Sequence, residues 1–144
     1  MSNRLVSITV SLVVGLLTIQ GIAFAQGTDK HAKTAPSAAQ MKKLHAMMPM
    51  FSVAAAKLEA ALDKGDIAAA EVEAGKIMAA LPDLKKSKPH KNVKQRKIFV
   101  KLATDLEEAV ISTVALAKKD DIAGAKTAFK KVEEVCAACH AKFQ

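Results

Sequence analysis

Apolar residues recur at alternating intervals of three and four across four segments of the chain. Side chains at this spacing lie on one face of an α-helix, so each segment predicts an amphipathic helix that contributes one face to a shared core. No segment alternates as a half-buried β-strand does, and the pattern therefore predicts an all-α chain. The four predicted faces are Met41, Leu44, Met48, Phe51, Ala55, Leu58 and Leu62; Ile67, Ala70, Ala74, Ile77 and Leu81; Phe99, Leu102, Leu106, Ala109, Thr113 and Leu116; and Ile122, Ala125, Phe129, Val132, Cys136, Cys139 and Phe143.

Polar residues before three of the segments predict where those helices begin. Ser37 and Gln40, three residues apart, form a capping-box pattern at the start of the first helix. Asp66 and Asp121 each precede an apolar run and predict the N-caps of the second and fourth helices.

The two turns that contain these aspartates have similar sequences, at residues 62–70 and 117–125. We interpret the similarity as two alike helix–helix turns. Helical-hairpin repeats that bind peptides are the alternative, although such arrays normally need more than two units.

The connection between the second and third segments is longer and basic. Pro82 predicts the end of the second helix, because proline lacks the N–H that a helix interior requires. Residues 82–91 are then expected to form a loop, with the third helix starting near Asn92. Four helices with short connections predict an antiparallel up-down-up-down four-helix bundle, formed by one domain over residues 37–144.

The last nine residues carry the most specific chemical signal. Cys136 and Cys139 are two residues apart and His140 follows at once, which is the attachment pattern of a c-type haem. Residues three apart share a helix face, so both thiols can reach the two vinyl groups on one haem edge. His140 can then serve as the proximal iron ligand. The sequence predicts one covalent haem c near one end of the bundle.

Two other interpretations of the cysteine pair were weighed. A redox dithiol of the Cys-x-x-Cys type normally opens a helix after a strand, and no strand pattern precedes Cys136. A zinc site would need further ligands, and the sequence has only these two cysteines. With both cysteines assigned to the haem, no structural disulfide is expected.

The N-terminus has the features of a secretory signal over residues 1–25. A short positive region precedes an apolar run at residues 5–22, and Ala23-Phe24-Ala25 offers an A-x-A cleavage site. The alternative is an uncleaved membrane anchor, because the run is nearly long enough to span a bilayer. Cleavage predicts a soluble periplasmic protein, in which residues 26–36 form a flexible lead-in.

The sequence is basic, with 22 Lys+Arg against 14 Asp+Glu and a formal net charge of +8. Nucleic acid is not an expected partner, because the protein is predicted to be exported and has no Trp or Tyr to form a stacking platform. An acidic redox partner or an anionic membrane surface fits the charge better.

The predicted topology brings five possible iron ligands to the haem end: Met41, His45, Met47, Met48 and His90. Met48 lies on the apolar face of the first helix and is the predicted sixth ligand, with Met47 and Met41 as its nearest rivals. A methionine on such a face can equally be core filler. His45 and His90 are expected at the surface or facing the haem propionates, and ligation by either is the less favoured alternative.

Pro49 and three lysines are also expected at the haem end of the bundle. Pro49 interrupts the hydrogen bonds of the first helix and predicts a bend that widens the bundle there. Lys88, Lys91 and Lys94 are placed to screen the propionates.

The Cys136-x-x-Cys139-His140-x-x-Phe143 motif on the last of four helices resembles the cytochrome c′ family. The resemblance implies a haem near one end of the bundle and pairing of two copies through their first two helices. One branch of the family has an open iron site that binds nitric oxide or carbon monoxide, and another has a methionine ligand and carries electrons. Met48 looks like the residue at the family's distal position, which favours the electron-carrying branch.

These expectations combine into a periplasmic monohaem c-type cytochrome that carries single electrons. An enzyme is not expected, because nothing resembles a general base above an open iron site. A five-coordinate gas-binding cytochrome is one alternative. A helical interaction module without a functional haem is another.

Overall fold

The structure is a computed structural model that describes residues 36–144. The predicted signal over residues 1–25 and all but the last residue of the lead-in lie outside this range. The described chain forms four long helices and contains no β-strand, which confirms the all-α prediction. The helices are α1 (Ala38–Lys64), α2 (Ile67–Lys86), α3 (Arg96–Ala117) and α4 (Ile122–Phe143), with a single 3₁₀ turn at Val93–Gln95 before α3.

The helices pack as the predicted four-helix bundle. Each helix contacts its neighbours in chain order, and α4 returns to α1, although α1 and α4 are the most loosely packed neighbouring pair. The centre of the core holds large side chains that are at most 1% exposed. Burying each such side chain contributes about 1.5–3 kcal/mol, so this apolar layer is the main source of stability. It comprises Leu58, Leu62, Ile77, Leu81, Val110 and Val132.

The predicted helix starts are confirmed. The Ser37 hydroxyl accepts a hydrogen bond from the Gln40 amide (3.3 Å), and the Gln40 side chain accepts one from the Ser37 amide (3.0 Å). The carboxylates of Asp66 and Asp121 each accept a hydrogen bond from the amide three residues on, at 3.0 and 2.8 Å. Gly65 ends α1 with φ of +67°, a left-handed conformation that glycine adopts without steric cost.

The predicted end of α2 is wrong, because the helix continues through Pro82 to Lys86. Proline removes only one donor from the helix, and the turn beyond it is stabilised by packing. Leu84 lies in that turn and is 5% exposed, so ending the helix at Pro82 would forfeit its burial. The loop between α2 and α3 is therefore shorter than predicted and begins at Ser87.

Arg96, at the start of α3, also fixes the end of α2. Its guanidinium donates hydrogen bonds to the carbonyl of Lys85 (2.6 Å) and to the carbonyl of Ser87. The last carbonyls of a helix have no partner within the helix, and a cation there also interacts favourably with the helix dipole. An ion pair of 2.5 Å between Lys85 and Glu107 joins the same two helices.

Within residues 36–144, none of the helices combines the length and the apolar character that a bilayer span requires.

Candidate haem site

A cavity of about 760 Å³ lies at one end of the bundle. It is bordered by the first half of α1, the first half of α3, the last turns of α4 and the loop between α2 and α3. Its volume falls within the range of about 300–1,000 Å³ that is usual for cofactor sites. The walls are mainly apolar and include Leu44, Phe51, Phe99, Leu106, Val132 and Phe143.

The three residues of the attachment motif all line this cavity. Cys136 and Cys139 lie one helical turn apart on α4, are half-buried and carry free thiols. His140 follows them, lines the same cavity and is exposed. The motif therefore offers two thiols and an imidazole to one cavity, which is the donor set that covalent haem attachment needs.

The environment of the two thiols argues against a reactive dithiol. Burial raises the pKa of Cys136 above its usual 9.0, and the carboxylate of Glu133 raises it further. Burial also raises the pKa of Cys139, with a smaller contribution from Cys136. Both groups stay protonated at neutral pH, whereas catalytic dithiols rely on a lowered pKa. In the described part of the chain, no group of three or more His, Cys, Asp or Glu residues is arranged to hold a metal ion.

The structure separates the five candidates for the sixth iron position. Met48, His45 and His90 line the cavity, whereas Met41 and Met47 do not. Met47 is 8% exposed and belongs to the apolar core, while Met48 is half-buried at the cavity wall.

The buried face of α1 thus differs from the predicted stripe. The core side chains include Met47 and Ala54, whereas Met48 and Ala55 border the cavity. Leu44, Phe51, Leu58 and Leu62 of the predicted face are buried as expected.

His45 and His90 form a contact that sequence reasoning missed. Their rings stack with centroids 4.8 Å apart and planes inclined by 20°. Both residues are exposed and line the cavity, so the stack joins α1 to the α2–α3 loop at the edge of the site. No spacing rule relates two residues on different elements, and the sequence offered no signal for this pair.

Pro49 also lines the cavity, and α1 runs through it without ending. The proline has no N–H to donate, so the carbonyl of His45 lacks its usual partner within the helix. The predicted bend at this point stays a prediction.

The loop that carries His90 is attached to the end of α4. The Lys91 amide donates a hydrogen bond to the carbonyl of Phe143 (3.3 Å), and the Asn92 side chain donates one to the carbonyl of Lys142 (2.7 Å). The Phe143 ring packs edge-on against Phe99, with centroids 5.3 Å apart. These contacts confirm the predicted meeting of this loop with the helix that bears the motif. Of the lysines predicted to screen the propionates, Lys91 lines the cavity.

A four-helix bundle whose end cavity holds a Cys-x-x-Cys-His motif defines a c-type cytochrome of the helical-bundle class. The residues fit a covalent haem c, since both thiols and the imidazole meet in one apolar cavity. Residues 83–144 match the family model described as Cytochrome C', the family that the motif resembles. The match covers the end of α2, the loop, α3 and α4, and so includes the motif. Comparisons with curated proteins and with solved structures gave no match.

Proposed function

We propose that this chain is a monohaem c-type cytochrome that carries single electrons and is not an enzyme. The observation that supports this most directly is that Cys136, Cys139, His140 and Met48 border one cavity. When bound, the haem supplies a one-electron Fe(III)/Fe(II) couple.

In this proposal each of the four residues has a separate role. Cys136 and Cys139 form the two thioether links, and His140 is the proximal iron ligand. Met48 supplies the sixth ligand from α1, since it is the methionine among the candidates that borders the cavity. A thioether ligand raises the reduction potential. The apolar walls limit the access of water to the haem, which also affects the reduction potential.

Intact-mass measurement and voltammetry of the purified exported protein test this function. We expect a mass increase of one haem that survives denaturation, and a reversible one-electron wave. C136S and C139S variants should each retain fewer thioether links. A chain that carries no covalent haem would contradict the proposal and favour the helical interaction module.

A gas-binding cytochrome is the second candidate. Apart from Met48, α1 contributes mainly apolar groups to the cavity, including Leu44, Phe51 and Ala55. Such a wall suits a vacant sixth position as well as a ligated one. Binding of carbon monoxide to the reduced protein would support this candidate and exclude ligation by Met48.

Periplasmic location is proposed on the signal-like features of residues 1–25. N-terminal sequencing of the exported protein should begin at Gln26. A product that starts at residue 1 and stays with the membrane fraction would contradict cleavage.

Pairing of two copies through α1 and α2 is also proposed. Val53 on α1 and Val72 on α2 are 53% and 58% exposed, which leaves apolar surface on both helices. Sedimentation equilibrium of V53K and V72K variants tests this pairing. A wild type that is monomeric at high micromolar concentration would rule it out.

A further inference from the structure

Charge is divided unequally along the bundle. We divide each helix at its midpoint and define the haem end as residues 36–51, 77–106 and 133–144, with the remaining described residues as the far end. The haem end has eleven Lys and Arg against four Asp and Glu, a side-chain charge of +7. The far end has eight against nine, a charge of −1. The positive charge of the described chain is therefore concentrated where the cavity opens.

Most of the haem-end charge is available to an external partner. Lys43, Lys85 and Lys101 pair with carboxylates, and the Arg96 guanidinium is occupied by main-chain carbonyls. Six other ammonium groups form no ion pair with the described residues, and five of these lysines are exposed. The six are Lys42, Lys86, Lys91, Lys94, Lys97 and Lys142, with Lys142 half-buried.

The six lysines lie on different elements of the haem end. Lys42 lies in the second turn of α1, Lys94 lies in the 3₁₀ turn before α3, and Lys97 lies in the first turn of α3. Lys91 belongs to the cavity wall, and Lys142 follows His140 by two residues. A charged partner that approaches these lysines therefore comes close to the cavity that we assign to the haem.

From this distribution we infer that the haem end is the docking surface for an acidic redox protein. The inference rests on the proposed electron-carrier function. It adds which end of this protein contacts the partner and the sign of the partner's charge. An asymmetric charge both accelerates the encounter and orients it, so that an acidic surface meets the haem end rather than the far end. Orientation matters because electron transfer requires the haem edge to be close to the partner's redox centre.

An anionic bilayer fits the same face less well. Lasting membrane attachment adds buried apolar area to the electrostatic attraction. The large exposed apolar side chains of the described chain are Val53, Val72, Ile98 and Ile111, and only Ile98 lies at the haem end. The sequence also has no Trp or Tyr to anchor at an interface.

Stopped-flow reduction of the oxidised holoprotein by a reduced plant-type [2Fe–2S] ferredoxin, used as an acidic one-electron donor, tests the inference. Each encounter oxidises one ferredoxin and reduces one haem iron. The haem-end variant is K42E/K94E/K97E, whose lysines do not line the cavity. The matched control is K57E/K64E/K119E at the far end, where the three lysines are exposed and make no ion pair with described residues. Both variants change the net charge by the same amount.

We expect the haem-end variant to react at least tenfold more slowly than wild type at low ionic strength, within the range of electrostatic steering effects. The control should slow by less than threefold, and the wild-type rate constant should fall as salt rises. Equal slowing of the two variants would overturn the inference, because only net charge would then matter.

Two further measurements separate the possible failures. If both variants keep a reversible wave at an electrode, the electron-carrier function is supported. Equal rate constants for their reduction by ferredoxin would then overturn only the proposed docking surface. If the wild type gives no electrode response, the proposed function itself fails. Co-sedimentation of the wild type with phosphatidylserine vesicles, together with equal ferredoxin rate constants for the variants, would replace the protein partner with a membrane.

Discussion

The Asn92 side-chain amide donates a hydrogen bond of 2.7 Å to the main-chain carbonyl of Lys142, two residues beyond the candidate iron ligand His140. Asn92 has a φ of +54°, in the left-handed region that asparagine tolerates better than most residues. The bond joins the loop that carries His90 to the final turn of the motif-bearing helix. A residue outside the attachment motif therefore connects this loop to the helix that bears the motif.

Two substitutions of Asn92 separate the contribution of its hydrogen bond to stability from that of its backbone conformation. N92G loses the bond but tolerates the positive φ, so we expect a loss of about 0.5–1.5 kcal/mol in the free energy of unfolding. N92A loses the same bond but keeps a Cβ in the left-handed region, so we expect it to be about 1–2 kcal/mol less stable than N92G. Urea denaturation of the two variants measures the difference. Equal stabilities for N92A and N92G would contradict the role assigned to the backbone.

Arg96 should stabilise the end of α2. R96M removes two charge-assisted hydrogen bonds to carbonyls, and such a bond contributes about 1.5–3 kcal/mol. Since two bonds are lost, we expect the free energy of unfolding to fall by at least about 1.5 kcal/mol, with faster amide hydrogen exchange at residues 83–87. R96K keeps the charge without the planar guanidinium and should lie between R96M and wild type. Unchanged exchange at residues 83–87 in R96M would show that Leu84 alone maintains this turn.

The two adjacent methionines of α1 should respond differently to truncation. M47A removes a core side chain, so we expect a loss of about 2–5 kcal/mol in stability with an unchanged haem spectrum. M48A should cost less stability, because Met48 is half-buried, but should change the coordination of the iron. Urea denaturation and absorption spectra of both holoproteins measure these effects. An altered spectrum in M47A with a wild-type spectrum in M48A would reverse the assignment.

The raised thiol pKa values predict how the free energy of unfolding of the haem-free chain depends on pH. The folded thiols bind protons more tightly than the unfolded thiols, so their contribution to stability is fully present below the usual pKa of 9.0. As pH rises past that value, the unfolded thiols ionise first and the free energy of unfolding falls. Urea denaturation between pH 7 and 10.5 should show this decline. The C136S/C139S variant should show a smaller one, and identical profiles would contradict the prediction.

The features that local sequence determines were the ones that could be predicted. Ser37 with Gln40, and the aspartates before α2 and α4, cap their helices through contacts only three residues long. The spacing of the apolar residues likewise depends on helix geometry alone. These signals sufficed for the number of helices, the bundle and the position of the attachment motif.

Features that depend on distant contacts could not be predicted. Pro82 is a local signal for a helix end, but the burial of Leu84 and the bonds from Arg96 outweigh it. The Asn92–Lys142 bond and the stack of His45 on His90 join residues far apart in the sequence. Each arises only after the helices have packed.

We propose that Met48 completes the coordination of a covalent haem in an electron carrier. The most direct test is the visible absorption spectrum of the purified holoprotein, oxidised and reduced, with and without carbon monoxide. We predict a sharp, split band in the reduced protein that carbon monoxide does not alter, and a carbon monoxide response in M48A. A broad reduced band that shifts with carbon monoxide in the wild type would contradict the claim and identify a gas-binding cytochrome.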